Sequence, residues 1–132
     1  MSALFNPGRE GFLDGSIDWD TDDVRVMLVK SAYSPDMTDR FLSDLGSVDN
    51  GRTTALGTKA VTDGIADAAN TSLVATAAVA CNALVVFKHT GNDATARVIA
   101  YIDSGTGLPF TPAAGQTINI NWSDLTNKIF KL

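Results

Sequence analysis

The amino-acid sequence predicts a mainly β fold: a small antiparallel β-sandwich or barrel with one short helix and an N-terminal arm. Three observations carry that expectation. Short runs rich in Val, Ile, Thr and aromatic residues recur along the chain, separated by Gly, Pro, Asn and Asp. The stretch "QTININW" alternates, with Ile118, Ile120 and Trp122 on one face and Thr117, Asn119 and Asn121 on the other. The segment "ALVVFKHTGNDATARVIAYID" has two apolar strands around a turn-forming "TGND", the pattern of a hairpin. Short strands at this spacing build sandwiches and barrels.

The elements follow in order. Residues 1–15, "MSALFNPGREGFLDG", carry Leu4, Phe5, Phe12 and Leu13 around a Pro7-Gly8 break. A free tail would be more polar, so this segment reads as an arm whose apolar side chains need a surface, on its own domain or on a neighbouring copy. Residues 24–32, "VRVMLVKSA", are apolar on both faces, as in a buried strand. "SPD" breaks it. Asp36 and Asp39 open a short helix, Phe41, Leu42 and Leu45 give it an apolar side, and Gly46 stops it. Further strands are expected at 54–61, 70–76, 82–89, 96–103, 116–122 and 128–132. The domain boundaries follow: 1–15 an arm, 16–132 a single β domain.

A chain of 132 residues forms one domain with a real core. At 45% hydrophobic and 19% charged residues it has a globular composition. The longest apolar run, around 77–87, is interrupted at Cys81 and Asn82 and is far shorter than a bilayer span. The N-terminus lacks a secretory pattern, which predicts folding in a cytoplasm. A net charge of −5, with Lys and Arg scattered singly, argues against nucleic acid or anionic membrane as a partner. The lone cysteine, Cys81, among alanines and Val79, reads as a small buried thiol.

No motif announces chemistry. "DWDTDD" places Asp18, Asp20, Asp22 and Asp23 within six positions and begins like a calcium-binding loop. Such a loop needs Gly at its sixth position and Glu at its twelfth. Here those positions hold Asp23 and Val29, and a strand follows. On an extended segment the alternate carboxylates make a solvated acidic edge or an interface rim. A structural cation is the alternative. His89, the single histidine, sits beside a turn without a nucleophile or orienting partner in sequence. Asp103 opens a D-S-G triplet, which serves equally as a strand-to-strand loop. The chain is therefore read as a non-enzyme with no cofactor and no metal. A carbohydrate-binding platform would require clustered exposed aromatics, with Trp19, Tyr33 and Trp122 as the candidates.

Two long stretches carry a resemblance. "LFNPGREGFLDGSIDWDTDDVRVMLVKSAYSPDMTDRFLSDL" and "ALVVFKHTGNDATARVIAYIDSGTGLPFTPAAGQTINI", with "DGIADAANTSLVA" between them and "NKIFKL" at the end, resemble small structural proteins of tailed bacteriophages. The likeness covers nearly the whole chain, and its specificity lies in the order and spacing of individually weak motifs. One departure is local: Arg9-Glu10-Gly11 after Pro7-Gly8 replaces a helix-like run and argues against a helical N-terminus. The resemblance implies a virion structural role, foremost a capsid decoration (cement) protein. A tail- or neck-associated protein is the second expectation, and a carbohydrate- or host-binding module the third. It implies no catalytic residues. The expected partners are the major capsid protein and copies of the chain itself, in a homo-oligomer. The expected location is the outer capsid surface of a virion made in the host cytoplasm, since net negative charge favours the face away from packaged nucleic acid. The expected partner interface is the arm, through Leu4, Phe5, Arg9, Phe12 and Leu13, with Asp18, Asp20, Asp22 and Asp23 as its polar rim.

Overall fold

The computed structural model describes residues 2–124 and 128–132. The described strands and helices are β1 (Ala3–Leu4), α1 (Asn6–Asp14), β2 (Val24–Lys30), a 3-10 turn (Leu42–Leu45), β3 (Asp49–Arg52), β4 (Ala60–Thr62), β5 (Ile65–Asp67), β6 (Thr71–Val74), β7 (Cys81–Lys88), β8 (Val98–Ile102), β9 (Thr117–Ile120) and β10 (Phe130–Lys131). The fold is mainly β and antiparallel, with a helix near the N-terminus.

A five-stranded sheet in the order β1-β8-β7-β2-β3 forms the first layer. Its centre is β2 against β7, in register from Val24↔Lys88 to Lys30↔Cys81 with one bulge near the end. Both strands are apolar on both faces, so each face needs its own cover. On one face Val24, Val26, Leu28 and Val86 pack with Ile17, Trp19, Leu73, Ile120 and Ile129. On the other, Met27, Val29, Val85 and Phe87 pack with Phe5, Tyr33, Leu42, Leu45 and Val48.

The second layer comprises a three-stranded sheet, β10-β5-β4, and a pair, β6-β9. β5 and β6 follow each other along the chain. β10 pairs antiparallel to β5 (Phe130↔Ala66) and β9 antiparallel to β6 (Thr71↔Ile120). The layer is thus one long antiparallel pairing interrupted between its two halves. Trp122 bridges the interruption, its amide N donating to the Asn70 side chain and its indole to the Ala69 carbonyl.

The N-terminal segment overturns one expectation and decides between two others. Of the two surfaces open to the arm, residues 2–15 cover the one on their own domain rather than a neighbouring copy, and against expectation a helix forms there. β1 pairs with β8 (Ala3↔Tyr101, Leu4↔Ala100). The Phe5 amide then donates to Ile99 O at 2.9 Å, and α1 lies along the same strand. Pro7 suits the first helical turn because its missing N–H would have no helical partner there. Gly8 and Gly11, which argued against a helix, are what let it sit down. A Cβ on Gly8 would lie 2.7 Å from Ile99 O, and one on Gly11 would collide with the Ile17 side chain. Gly15, at φ +80°, ends the helix. Tertiary contact outweighs the propensity cost of two glycines.

The helix expected over 36–45 shrinks to a single 3-10 turn. The Asp36 carboxylate accepts from the Thr38 amide (2.9 Å) and hydroxyl (2.6 Å), closing a local turn that competes with a helix. Phe41 is held extended, bridged to Arg97, while Asp44 accepts the Arg40 and Phe41 amides. Gly46 ends the turn as expected.

The strand expected at 54–61 is displaced to β3 on one side and β4 on the other. "Asp-Asn-Gly-Arg" reads as a turn, yet it is a strand. Gly51, at φ +121°, allows a close approach to Val74 O that no larger residue permits. Asn50 is fully buried and satisfied: its Nδ2 donates to Ala77 O and Cys81 Sγ (3.1 Å each), and its Oδ1 accepts from the Ala77 amide and Thr76 hydroxyl. It ties β3 to the segment between β6 and β7. Burial raises the Cys81 thiol pKa, so this cysteine is a packed, inert side chain.

Two substitutions test these placements. Gly8→Ala, which would stabilise an isolated helix by about 1 kcal/mol, is expected instead to destabilise the protein by about 1–3 kcal/mol in urea unfolding, because its methyl meets strand backbone. A stabilised Gly8→Ala variant would contradict the docking of α1. Asn50→Ala is expected to cost about 2–4 kcal/mol, since it leaves the Ala77 amide and carbonyl without partners in the core.

Candidate functional site: an acidic turn beside an apolar depression

The expected interface residues separate into three groups. Leu4 and Phe5 are buried in the protein's own core, 5% and 0% exposed, so they are corrected from partner contacts to core residues. Arg9 is exposed on α1, and its guanidinium has no hydrogen-bond or ion-pair partner among the described residues. Phe12 and Leu13 close the helix. Phe12 is half-buried, its ring 5.8 Å from that of Phe130, while Leu13 is 88% exposed.

The acidic stretch is not an extended edge with its carboxylates aligned. It is a turn. The Asp22 amide donates to Asp18 O (3.0 Å), and the Asp22 carboxylate accepts the Asp18 amide (2.8 Å). The Asp18 carboxylate in turn accepts the Asp20 amide. Short Asp side chains bond to nearby backbone in this way and so favour turns over strands. Trp19 anchors the turn: it is 4% exposed, its indole N–H donates to Asp67 O at 3.0 Å, and its ring meets Phe130 edge-on at 5.3 Å. Lys88 clamps the turn from β7, pairing with Asp22 at 3.1 Å and donating to Ser16 O. The Lys59 ammonium donates to Asp22 O.

Asp23 faces Arg25 in a two-pronged pair, Nε to Oδ1 and Nη2 to Oδ2, both at 3.0 Å. These hydrogen bonds, more than the charge alone, hold the Asp23 carboxyl below its ordinary value against a smaller opposing effect of burial. Asp22 and Asp23 are therefore committed to cations of the same domain, and Asp18 to its own turn. Among the described residues no group of three or more His, Cys, Asp or Glu could hold a metal ion.

Phe12 and Asp18 are brought together at a shallow depression of about 270 Å3 that also takes in Val61, Ala66, Phe130 and Leu132. Val61 and Leu132 are each more than half exposed. Among the described residues five large apolar side chains remain exposed; Val61 and Leu132 are at this corner, and Leu13 follows Phe12 on the last turn of α1. Val61 and Leu132 escaped the sequence reading because nothing local marks them: β4 and β10 are too short to show an alternating pattern, and their neighbours at this corner are distant in sequence.

The remaining candidates are dispersed. Trp19 and Tyr33 are buried in opposite cores, and the Tyr33 hydroxyl donates to Asp39 at 2.9 Å. Trp122 is half-buried in the second layer. The three aromatics do not form a shared face. His89 is half-buried at the end of β7, its amide donating to Asp23 O, with its ring 6.5 Å from Phe87. Asp103 lies after β8, accepting from the Ser2 hydroxyl at 3.5 Å. No helix among the described residues is long and apolar enough to cross a membrane.

Comparison with protein families, with curated proteins and with solved structures finds no match.

The Asp23–Arg25 pair has a pH signature. A carboxyl whose pKa is depressed in the folded state stabilises the protein above the unfolded value, about 3.9, and that contribution disappears as pH falls through the folded value. Asp23→Asn is therefore expected to lose about 0.3–1 kcal/mol at pH 7, as for a pair still reached by solvent, and to match the parent protein near pH 2. Asp20→Asn, at a carboxylate not clamped by a cation, is expected to change neither value. Thermal unfolding across pH 2–7 measures both.

Proposed function

We propose that this protein is a structural component of a tailed-bacteriophage virion, a decoration protein that binds the assembled head from outside and associates with its own copies. The observation that carries the reading is where the resembling stretches fall. "LFN" supplies β1, Phe5 and the start of α1; "IDWD" supplies the Trp19-anchored turn; "VRVMLVK" is β2; and "ALVVFK" with "RVIAYID" is the β7–β8 hairpin. The resemblance thus runs along the framework of the fold and takes in Phe12, Asp18, Phe130 and Leu132 at the depression, as suits proteins related by architecture and assembly.

The surface supports the same reading. The corner of Phe12, Leu13, Val61 and Leu132 offers apolar contact area, and Asp18 gives it a charged rim that would set register more than affinity. Many-copy attachment to a lattice lets such a small contact suffice. The net charge of −5 favours the outer face of a shell over the face against nucleic acid. Tail or neck placement is the second reading. It is favoured by the unpaired edge of β4, exposed at all three residues and able to continue a sheet from subunit to subunit.

Co-sedimentation with assembled, undecorated heads of the virus that encodes the chain tests the proposal. The full chain is expected to pellet with heads. A Leu13→Asp, Val61→Asp double variant is expected to lose at least tenfold in binding with an unchanged Tm. Failure of the full chain to bind heads, together with its recovery in purified tails, would move the assignment to the tail.

A further inference from the structure

The two layers meet closely along one side. There β3 passes beside β6, with Gly51 against Val74 O. On the opposite side the layers end in strands that no described strand pairs: β1 closes the first sheet, and β9 and β10 end the two halves of the second. Between these edges lies a cleft of about 1090 Å3, bordered by Ser2, Ala3 and Leu4 on one lip and by β9 and β10 on the other.

The floor of the cleft is unfinished core. Seven apolar side chains pack against the inter-layer core while only partly covered, and six of them line this cleft: Leu84, Ile102, Phe110, Ile118, Trp122 and Phe130. The seventh, Phe12, lies at the depression described above. The charges are one-sided as well. Arg9, Lys128 and Lys131 line the cleft, and no Asp or Glu among the described residues does so, although the chain as a whole is acidic. Lys128 is paired with Asp67 at 2.9 Å, whereas Arg9 and Lys131 have no side-chain partner among the described residues. Asp103 is not among the lining residues but stands between Ile102 and Ser104, which are, and accepts a hydrogen bond from Ser2 at 3.5 Å.

From these observations we infer that the cleft is a strand-addition site for an extended, acidic segment of another protein. Three kinds of contact specify that occupant. Unpaired strand edges on both lips offer backbone hydrogen bonds to an extended chain. The half-covered floor takes alternate apolar side chains, which point one way from a strand. Arg9 and Lys131 pair with carboxylates on the other face of the occupant and discriminate against basic segments. The inference does not depend on the virion reading. Its cleft shares only Phe130 with the depression, and Leu13 and Val61 take no part in it.

The test uses three labelled synthetic octapeptides on the full chain: one alternating glutamate with valine, one alternating lysine with valine, and a glutamate–valine peptide interrupted by proline. Fluorescence anisotropy measures affinity, and amide chemical shifts locate binding. The glutamate–valine peptide is expected to bind, shifting the amides of Ala3–Leu4 and Thr117–Ile120. The lysine version is expected to bind at least tenfold more weakly, and the proline version, which lacks the needed N–H donors, not measurably. Arg9→Glu with Lys131→Glu is expected to reduce glutamate–valine binding at least tenfold at low salt with Tm unchanged. Equal binding of the acidic and basic peptides, shifts confined to another surface, or no binding of the glutamate–valine peptide would each overturn the inference.

Discussion

The rest of the structure depends on one constraint: the β2–β7 pair is apolar on both faces. Val24, Val26 and Leu28 look one way, Met27 and Val29 the other, and all are buried. A sheet with one wet face needs a single cover; this one needs two, made from different parts of the chain. The second layer of short strands covers one face. Phe5 and the segment from Tyr33 to Val48 cover the other. The short irregular elements are short because they fit onto a surface whose shape the two central strands impose.

The N-terminal segment solves the edge of that sheet. β8 would end the first layer with unpaired backbone, a hazard for unwanted pairing. β1 takes two of its residues, the Phe5 amide takes Ile99 O, and the Val98 amide donates to Arg40 O. Arg97 reaches across to the Pro7 carbonyl at 2.5 Å. Gly8 and Gly11 bring the helix close enough to complete the seal. The seal covers β8 from Val98 to Tyr101, and the outer edge of β1 itself borders the cleft.

Much of the fold was legible in the sequence, and its failures have physical causes. The long runs at 24–30, 81–88 and 98–102 could be read because burial on both faces leaves a continuous apolar record. The Ile118–Ile120 alternation could be read because only one face of β9 is covered. β3 was not anticipated because Asn50 and Gly51 are turn-forming residues until the partner at Val74 is known. α1 was missed because its glycines are justified only by a strand about ninety residues away in sequence. The acidic stretch was read as an extended edge or rim, and that geometry was wrong: the Asp18 and Asp22 carboxylates bond to the backbone of the turn itself. Of the expected interface, Leu4 and Phe5 turned inward, while Phe12 and Asp18 converge with Val61 and Leu132, which no local pattern marks.

Native-state amide hydrogen exchange tests most directly whether residues 1–15 are part of the fold and not a reserve held for a partner. If they seal the sheet, the Phe5 and Asn6 amides, bonded to Ile99 O and Met37 O, will exchange within about tenfold of the slowest amides of β2 and β7, because they are released only by global opening. Exchange of both at the rate of an unprotected chain, while β2 and β7 remain protected, would contradict the account and restore the segment as an arm.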